Sequence, residues 1–376
     1  MNILFVSGIY PPDIGGPATY VSRMAYELKN RGHFVQVLTL GQKGENIVTP
    51  FQVKKVKKGK NILLRCLRMI VAGIHLAKKP DIIYATGSPW DSWFISVVIA
   101  RLLKSRLIFK VVGDAVWEWA QRTGISDMLM EDFNEYEGNT TISILKKFRS
   151  YMARKADRII TPSDYLKRVV EQWGIQGDKI KIIFNAVENP FDAEVLHCQR
   201  RREVITVARL VPWKGVDGLI KVARLLPADS RLIIIGDGPL LGSLRGQVKH
   251  DGLEDKVEFT GRLAKDDVLK RLMSASVFVL NSRYEGFPHA VLEAMSAGAA
   301  VVVTNAGGNN EIVRDGENGF LVPIGDERMM AERVNILLEN NTLRCSLAAE
   351  ARRGLIKTSW PKIISQTEEA LSDVLN

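Results

Sequence analysis

Two carboxylates eight positions apart raise the first chemical question. In NSRYEGFPHAVLEAM (residues 281–295), Glu285 precedes a Gly286-Phe287-Pro288 turn. Glu293 falls in a helical run among Ala290, Val291, Leu292, Ala294 and Met295. An ionised carboxylate left unpaired in such surroundings costs several kcal/mol. It either pairs with a cation or faces a ligand. The apolar run 277–280 predicts a strand, 282–288 a loop, and 289–297 a helix that stops at Gly298. The loop then sits at the carboxyl end of a parallel strand, and the helix start offers N–H groups to an anion. The two carboxylates can meet different ends of one elongated polar ligand, accepting from paired hydroxyls of a sugar or ribose. Taken alone, Glu293 reads first as the structural partner of a buried arginine.

Cations and glycines lie at comparable places. ARLVPWKG sets Arg209 just past a strand and Lys214 five residues on, beside Gly215. A guanidinium and an ammonium there can grip a diphosphate from two directions, although an isolated pair reads as solvated loop charge. IIIGDGPL (233–240) ends a strand in Gly236-Asp237-Gly238. Its next glycine, Gly242, is one position late for a dinucleotide fingerprint, so the loop suits a nucleotide generally. NAGGNNEIV (305–313) supplies a second glycine turn, followed by Glu311. YPPDIGGPATYV places Gly15-Gly16 between a strand and a helix. Backbone amides there can approach a phosphate or sugar, or the pair is a plain tight turn.

The elements that must hold these residues form two series. Strands are expected at 3–7, 34–40, 81–87, 106–112 and 158–163, with amphipathic helices such as 18–31 and 63–78 between them. The alternation restarts at 204–210, 231–238, 256–263, 277–282 and 300–308. Such alternation implies βαβ units and parallel sheets, and 376 residues are long for one core. The expected architecture is α/β: two Rossmann-like, doubly wound domains facing across a cleft. An N-terminal domain covers 1–190 and a C-terminal one 200–357, joined near 189–202, with hinge closure expected near 189–200 and within the connection to the terminal helix. A last helix within 358–376 packs back on the first domain.

Composition sets bounds. The net charge of +10 is uneven: residues 1–190 hold 28 Lys and Arg against 17 Asp and Glu, and the remainder is close to neutral. The excess is densest in 46–80, with nine Lys and Arg and no acidic residue. No run approaches the roughly 18 apolar residues of a membrane span, and the N-terminus reads as a first strand rather than a signal peptide. Three scattered cysteines (Cys66, Cys198, Cys345) give neither a disulfide framework nor metal-ligand spacing, and read as core residues of a cytoplasmic protein. The five histidines show no metal spacing.

Together these stretches resemble glycosyltransferase family 4, the retaining transferases of GT-B fold. The resemblance spans the whole chain: Gly15-Gly16, NAVENPF, ARLVPWKG, IGDGP, FTGRL, EGFPHAVLEAMSAG, NAGGNNEIV and a terminal helix. Its most specific part is the Glu-x7-Glu spacing downstream of R-L-x-x-x-K-G, and beside it the structural reading of Glu293 recedes. The resemblance implies that Arg209 and Lys214 neutralise a donor diphosphate, Glu293 holds ribose hydroxyls, and Glu285 contacts the transferred sugar beside Gly286, Phe287 and Pro288. Gly15 and Gly16 approach the donor from the N-terminal domain, and Gly236, Gly238, Arg262 and Leu292 complete its site. No cofactor or catalytic metal is implied. The chain departs from the family at FKVVGDAVWEW: many members carry a histidine here, and this chain has Gly113-Asp114. Asp114 either hydrogen-bonds sugar or acceptor, or caps the following helix.

The implied activity moves a hexose from a UDP- or GDP-linked donor to a glycan or lipid-linked acceptor. The basic segment 54–79 joins a lysine cluster to a helix rich in Leu and Ile, a pattern that suits the anionic inner face of the plasma membrane, at about 1 kcal/mol per cation. An ordinary surface helix with solvated lysines is the alternative. Trp90, Trp93, Trp117 and Trp119 are candidates for stacking on an acceptor sugar or for core positions. Nucleic acid is not expected, because residues 52–80 interleave no aromatic with the charge. A sugar-nucleotide epimerase would need an acid–base set that is not evident. A non-catalytic nucleotide-binding scaffold would have no need of all four donor residues.

Overall fold

The computed structural model describes residues 1–13, 15–41, 48–59, 61–77, 79–188 and 201–376. Nearly all of the expected linker, with the hinge near 189–200, and Lys60 and Lys78 of the basic segment, lie outside the described residues. The chain forms two compact units. One holds Met1–Trp119, Glu131–Phe184 and Pro361–Asn376, and the other Ala120–Met130 and Asn185–Trp360.

The first unit is built on seven parallel strands: β1 (Asn2–Ser7), β2 (Phe34–Gly41), β3 (Gln52–Lys57), β4 (Ile82–Thr86), β5 (Arg106–Lys110), β6 (Arg158–Thr161) and β7 (Ile180–Ile182). Their order is β3-β2-β1-β4-β5-β6-β7. The second is built on six: β8 (Arg201–Val207), β9 (Arg231–Ile235), β10 (Val257–Gly261), β11 (Ala275–Leu280), β12 (Ala300–Thr304) and β13 (Phe320–Val322). These too are all parallel, in the order β10-β9-β8-β11-β12-β13. Each sheet is doubly wound and Rossmann-like. Strand order reverses between β1 and β4 in one and between β8 and β11 in the other, the switch points where such sheets bind ligands.

The strands form where the sequence is apolar without alternation, because parallel sheets are covered on both faces. Every residue of β4, β11 and β12 is buried. In the second unit Val204, Ile234, Val279 and Val302 pack with Leu219 and Val334 of the flanking helices.

Three strands depart from the expectation. β7 and β13 have three residues each, too short to show a period. β3 reads QVKKVK, with Val56 its only fully buried position. The lysines expected to precede a helix therefore stand on an edge strand, a place where lysine blocks pairing with foreign strands. The helix proper is Ile62–Leu76, capped by Asn61, whose side chain accepts from the Leu64 amide at 3.1 Å.

The C-terminal helix, Trp360–Asp373, is tied to the first unit by charge. Glu368 accepts from Arg31 at 2.6 Å and meets His33 at 2.7 Å, while Lys181 reaches Glu369 and Asp373 at 3.0 and 3.2 Å. Trp93 stacks on Phe109 at 4.6 Å between ring centroids, and Trp117 is fully buried. Both serve as core, not as exposed stacking platforms. Cys66 is free and buried. Cys198 lies outside the described residues.

Candidate active site

In the second unit the singled-out residues fall on one edge of one sheet. Parallel strands present their carboxyl ends together, so the loops after β10, β9, β8, β11 and β12 follow one another across that edge. They carry, in this order, Arg262, Gly236 to Gly238, Arg209 with Lys214, Glu285 to Pro288, and Gly307-Gly308. The β8 and β11 loops flank the switch point.

Backbone contacts lock these loops to each other. Gly236 adopts φ +141°, and a Cβ there would meet the Ala208 carbonyl oxygen at 1.9 Å. A Cβ on Gly238 would meet the Leu210 carbonyl at 2.3 Å, and the Leu210 amide donates to the Asp237 carbonyl at 3.1 Å. Only glycine lets the β9 loop lie flat against the segment bearing Arg209. Gly215 (φ +59°) starts the helix Val216–Arg224 after Lys214, and Asn281 holds it by donating from Nδ2 to the Gly215 carbonyl at 3.0 Å. On the other side, the Gly308 amide donates to the Glu285 carbonyl at 2.8 Å. The β12 loop thereby supports the β11 loop from behind.

At the switch point, Lys214 Nζ lies 2.5 Å from Glu285 Oε1, which also accepts from Ser282 Oγ at 2.6 Å. Glu285 is only 6% exposed. A buried carboxylate persists because it is paired and hydrogen-bonded. Its Oε2 makes no hydrogen bond among the described residues. Arg209 is exposed, and among the described residues its guanidinium makes no ion pair. Arg262 meets Asp237 at 3.3 Å with both side chains largely open to water. Pro288 precedes the helix His289–Ser296, whose Leu292 is buried, and Asn185 donates to the Phe287 carbonyl at 2.8 Å.

Glu293, in the second turn of that helix, is half-buried and has no hydrogen-bond or ion-pair partner among the described residues. Burial raises its pKa; Lys265 opposes the shift and Glu188 adds to it. Lys265 is itself engaged by Glu188 at 3.0 Å. The expected alternative, a buried arginine partner, is not present among the described residues.

In the first unit, Gly15 caps the helix Gly16–Asn30 past the carboxyl end of β1, at that unit's switch point. Of the two roles open to Asp114, the geometry supplies the cap. Asp114 is fully buried, its Oδ1 accepts from the Val116 and Trp117 amides at 2.8 and 3.3 Å, and its Oδ2 pairs with Arg149. With both oxygens occupied inside the protein, its placement among substrate-contacting groups does not fit this geometry. One group went unnoticed in the sequence. Lys110, the last residue of β5, is fully buried, with Nζ 4.3 Å from the centroid of the Tyr20 ring. Burial lowers its pKa to about 7. A lone lysine closing an apolar strand gave no signal in sequence, since strand ends are usually wet.

The family described as Glycosyltransferase Family 4 matches residues 14–189, and that described as Glycosyl transferases group 1 matches residues 189–354. The chain belongs to the family 4 glycosyltransferases. An uncharacterized glycosyltransferase of Methanocaldococcus jannaschii is 26% identical over 98% of this chain and 97% of its own length. A second from the same organism is 31% identical over 60% of this chain and 63% of its own length, so the chain spans under two thirds of that relative. Among solved structures, the Anabaena protein HepE in complex with UDP and glucose superposes with a TM-score of 0.76 at 21% identity, covering 99% of this chain and 100% of that one. That likeness establishes the GT-B fold of this family 4 enzyme.

Proposed function

We propose that the protein is a retaining hexosyltransferase that moves a hexose from a UDP- or GDP-linked donor to a glycan or lipid-linked acceptor in cell-surface glycan synthesis. The observation that carries the reading is the Lys214–Glu285 contact at the switch point of the second sheet. A cation and a carboxylate meeting at one point suit a ligand whose phosphate and sugar join there. HepE, a relative in fold, was solved with UDP and glucose, which supports a nucleotide sugar as the donor.

On this reading Arg209 and Lys214 face the diphosphate, whose charge grows as the bond to the sugar breaks, so their attraction is strongest in the transition state. Glu285 accepts from hydroxyls of the transferred sugar and Glu293 from those of the ribose. The bond from C1 to the diphosphate breaks, the bond from C1 to the acceptor oxygen forms on the same face, and the acceptor proton passes to the departing phosphate. No metal takes part in these steps. The reading puts the protein at the cytoplasmic face of the membrane.

Proton NMR of slow donor hydrolysis, run across UDP- and GDP-hexoses, tests the proposal. First release of the α-anomer from an α-linked donor is expected. First release of the β-anomer would overturn retention, and no turnover with any hexose donor would overturn hexosyl transfer.

A further inference from the structure

The helix Ile62–Leu76 turns an apolar face away from its own protein. It rests on β2, β3 and the helix Phe94–Leu103 through Cys66, Met69 and Gly73, the buried positions i, i+3 and i+7. The opposite side, on the 3.6-residue period, carries Leu63 at 82% exposed, Leu67 at 57% and Val71 at 45%. These three recur every fourth residue and form one stripe, flanked by Leu64 at 43% and by exposed Arg68. An ordinary surface helix puts polar residues there. Single exposed leucines need no explanation, but a contiguous stripe marks a contact.

What surrounds the stripe identifies its occupant. Beside the helix runs edge strand β3, with Lys54 and Lys57 exposed and Lys58 just beyond. Protection of a sheet edge explains lysines; it does not explain an apolar stripe next to them. No acidic residue occurs between residues 46 and 80. A protein partner of mixed charge has no reason to demand a face cleared of carboxylates. No helix among the described residues is long and apolar enough to cross a membrane.

We propose that this face, the outer side of the helix Ile62–Leu76 with β3, docks on an anionic lipid bilayer. Leu63, Leu67 and Val71 enter the acyl boundary while Lys54, Lys57 and Arg68 meet the headgroups, as an amphipathic helix lies in an interface. Docking stands independently of the transferase reading. Only its corollary, that the acceptor is carried on a lipid, rests on that reading.

Sedimentation of the whole protein with two vesicle preparations tests this. One is phosphatidylcholine alone and the other phosphatidylcholine with phosphatidylglycerol at about three to one, a composition chosen for its negative surface potential. Binding to the anionic vesicles only, falling as salt rises, is expected. Leu63→Asp with Leu67→Asp is expected to weaken it at least tenfold with the melting temperature unchanged, since both side chains are already in water. Lys54→Ala with Lys57→Ala should weaken it as well, with a shallower salt dependence. Equal partition to both vesicles, or leucine variants that bind like the parent, would overturn the proposal. So would a self-association or RNA binding that the leucine variants abolish while the parent ignores vesicles. Loss of vesicle binding with nucleotide binding intact separates this proposal from the donor site.

Discussion

Lys214 and Glu285, 71 positions apart in sequence, meet at 2.5 Å across the switch point between β8 and β11. On the proposed reading Lys214 faces the donor diphosphate and Glu285 the transferred sugar. The pairing means that neither can be removed without consequence for the other. Lys214→Ala is expected to lower kcat by about 10²–10³, the usual cost of losing one donor aimed at developing charge. It also leaves Glu285 buried without its cation, which costs on the order of 3–5 kcal/mol if unrelieved. Thermal unfolding with and without nucleotide separates the two effects.

Glu293 has a raised pKa because burial disfavours its charge. On the proposed reading a ribose hydroxyl donates to the ionised form. Donor affinity should therefore be complete above the raised pKa and fall as pH drops through it, from a higher pH than an ordinary glutamate would give. The stability effect has the opposite sign: the folded chain binds the proton more tightly than the unfolded one, so this group costs stability above its pKa. Glu293→Gln is predicted to weaken donor binding, flatten its acid limb, and raise Tm at neutral pH. Calorimetric titration at several pH values and a thermal melt check both.

Asp114 and Arg149 form a buried pair beneath the start of the helix Ala115–Thr123. Arg149 also lies over the Trp173 ring at 4.3 Å. Asp114→Ala strands the guanidinium and removes the cap, for a loss of about 3–5 kcal/mol. Asp114→Ala with Arg149→Met should recover part of that loss. Denaturant unfolding of both singles and the double measures the coupling. A single variant as stable as the parent would contradict the assignment.

Lys110 is buried with a pKa near 7, against 10.5 for a free lysine. Between those values the unfolded chain holds more protons, so stability should rise with pH across that window. Lys110→Met is expected to remove the slope and to stabilise the protein most at pH 6. Urea unfolding at pH 6, 8 and 10 reads it directly.

Gly236→Ala would drive a methyl group into the Ala208 carbonyl. The β9 loop cannot then seat against the Arg209 segment, and donor binding should be lost with moderate destabilisation. Gly246, in the helix Leu241–His250, has nothing within 4 Å of a Cβ. Gly246→Ala should stabilise by about 0.4–1 kcal/mol with binding unchanged. Melting curves and nucleotide titration of both variants make the comparison.

Ten of the strands were legible because each centres on an apolar run with little or no polar interruption. The donor loops were legible because Glu285, Glu293, Arg209 and Lys214 each follow such a run at a fixed offset. What sequence withheld was mostly pairing. That Lys214 touches Glu285 depends on β8 and β11 being neighbours, which strand order alone decides. Asp114 was left between two roles until Arg149 appeared beside it, because its partner comes from a helix 35 positions on. β3 hid behind its lysines, since an edge strand has only part of its surface to bury. Lys110 hid for the opposite reason: its residue type argued against the burial it has.

If the carboxyl edge of the second sheet holds a nucleotide sugar, a nucleotide titration will show it. UDP, GDP and their hexose conjugates would be titrated into the parent, Arg209→Ala and Glu293→Gln. The account predicts saturable binding of one nucleotide class to the parent, at least tenfold weaker in each variant while Tm is retained in Arg209→Ala. Binding that both variants leave unchanged, or a folded parent that binds none of these nucleotides, would contradict it.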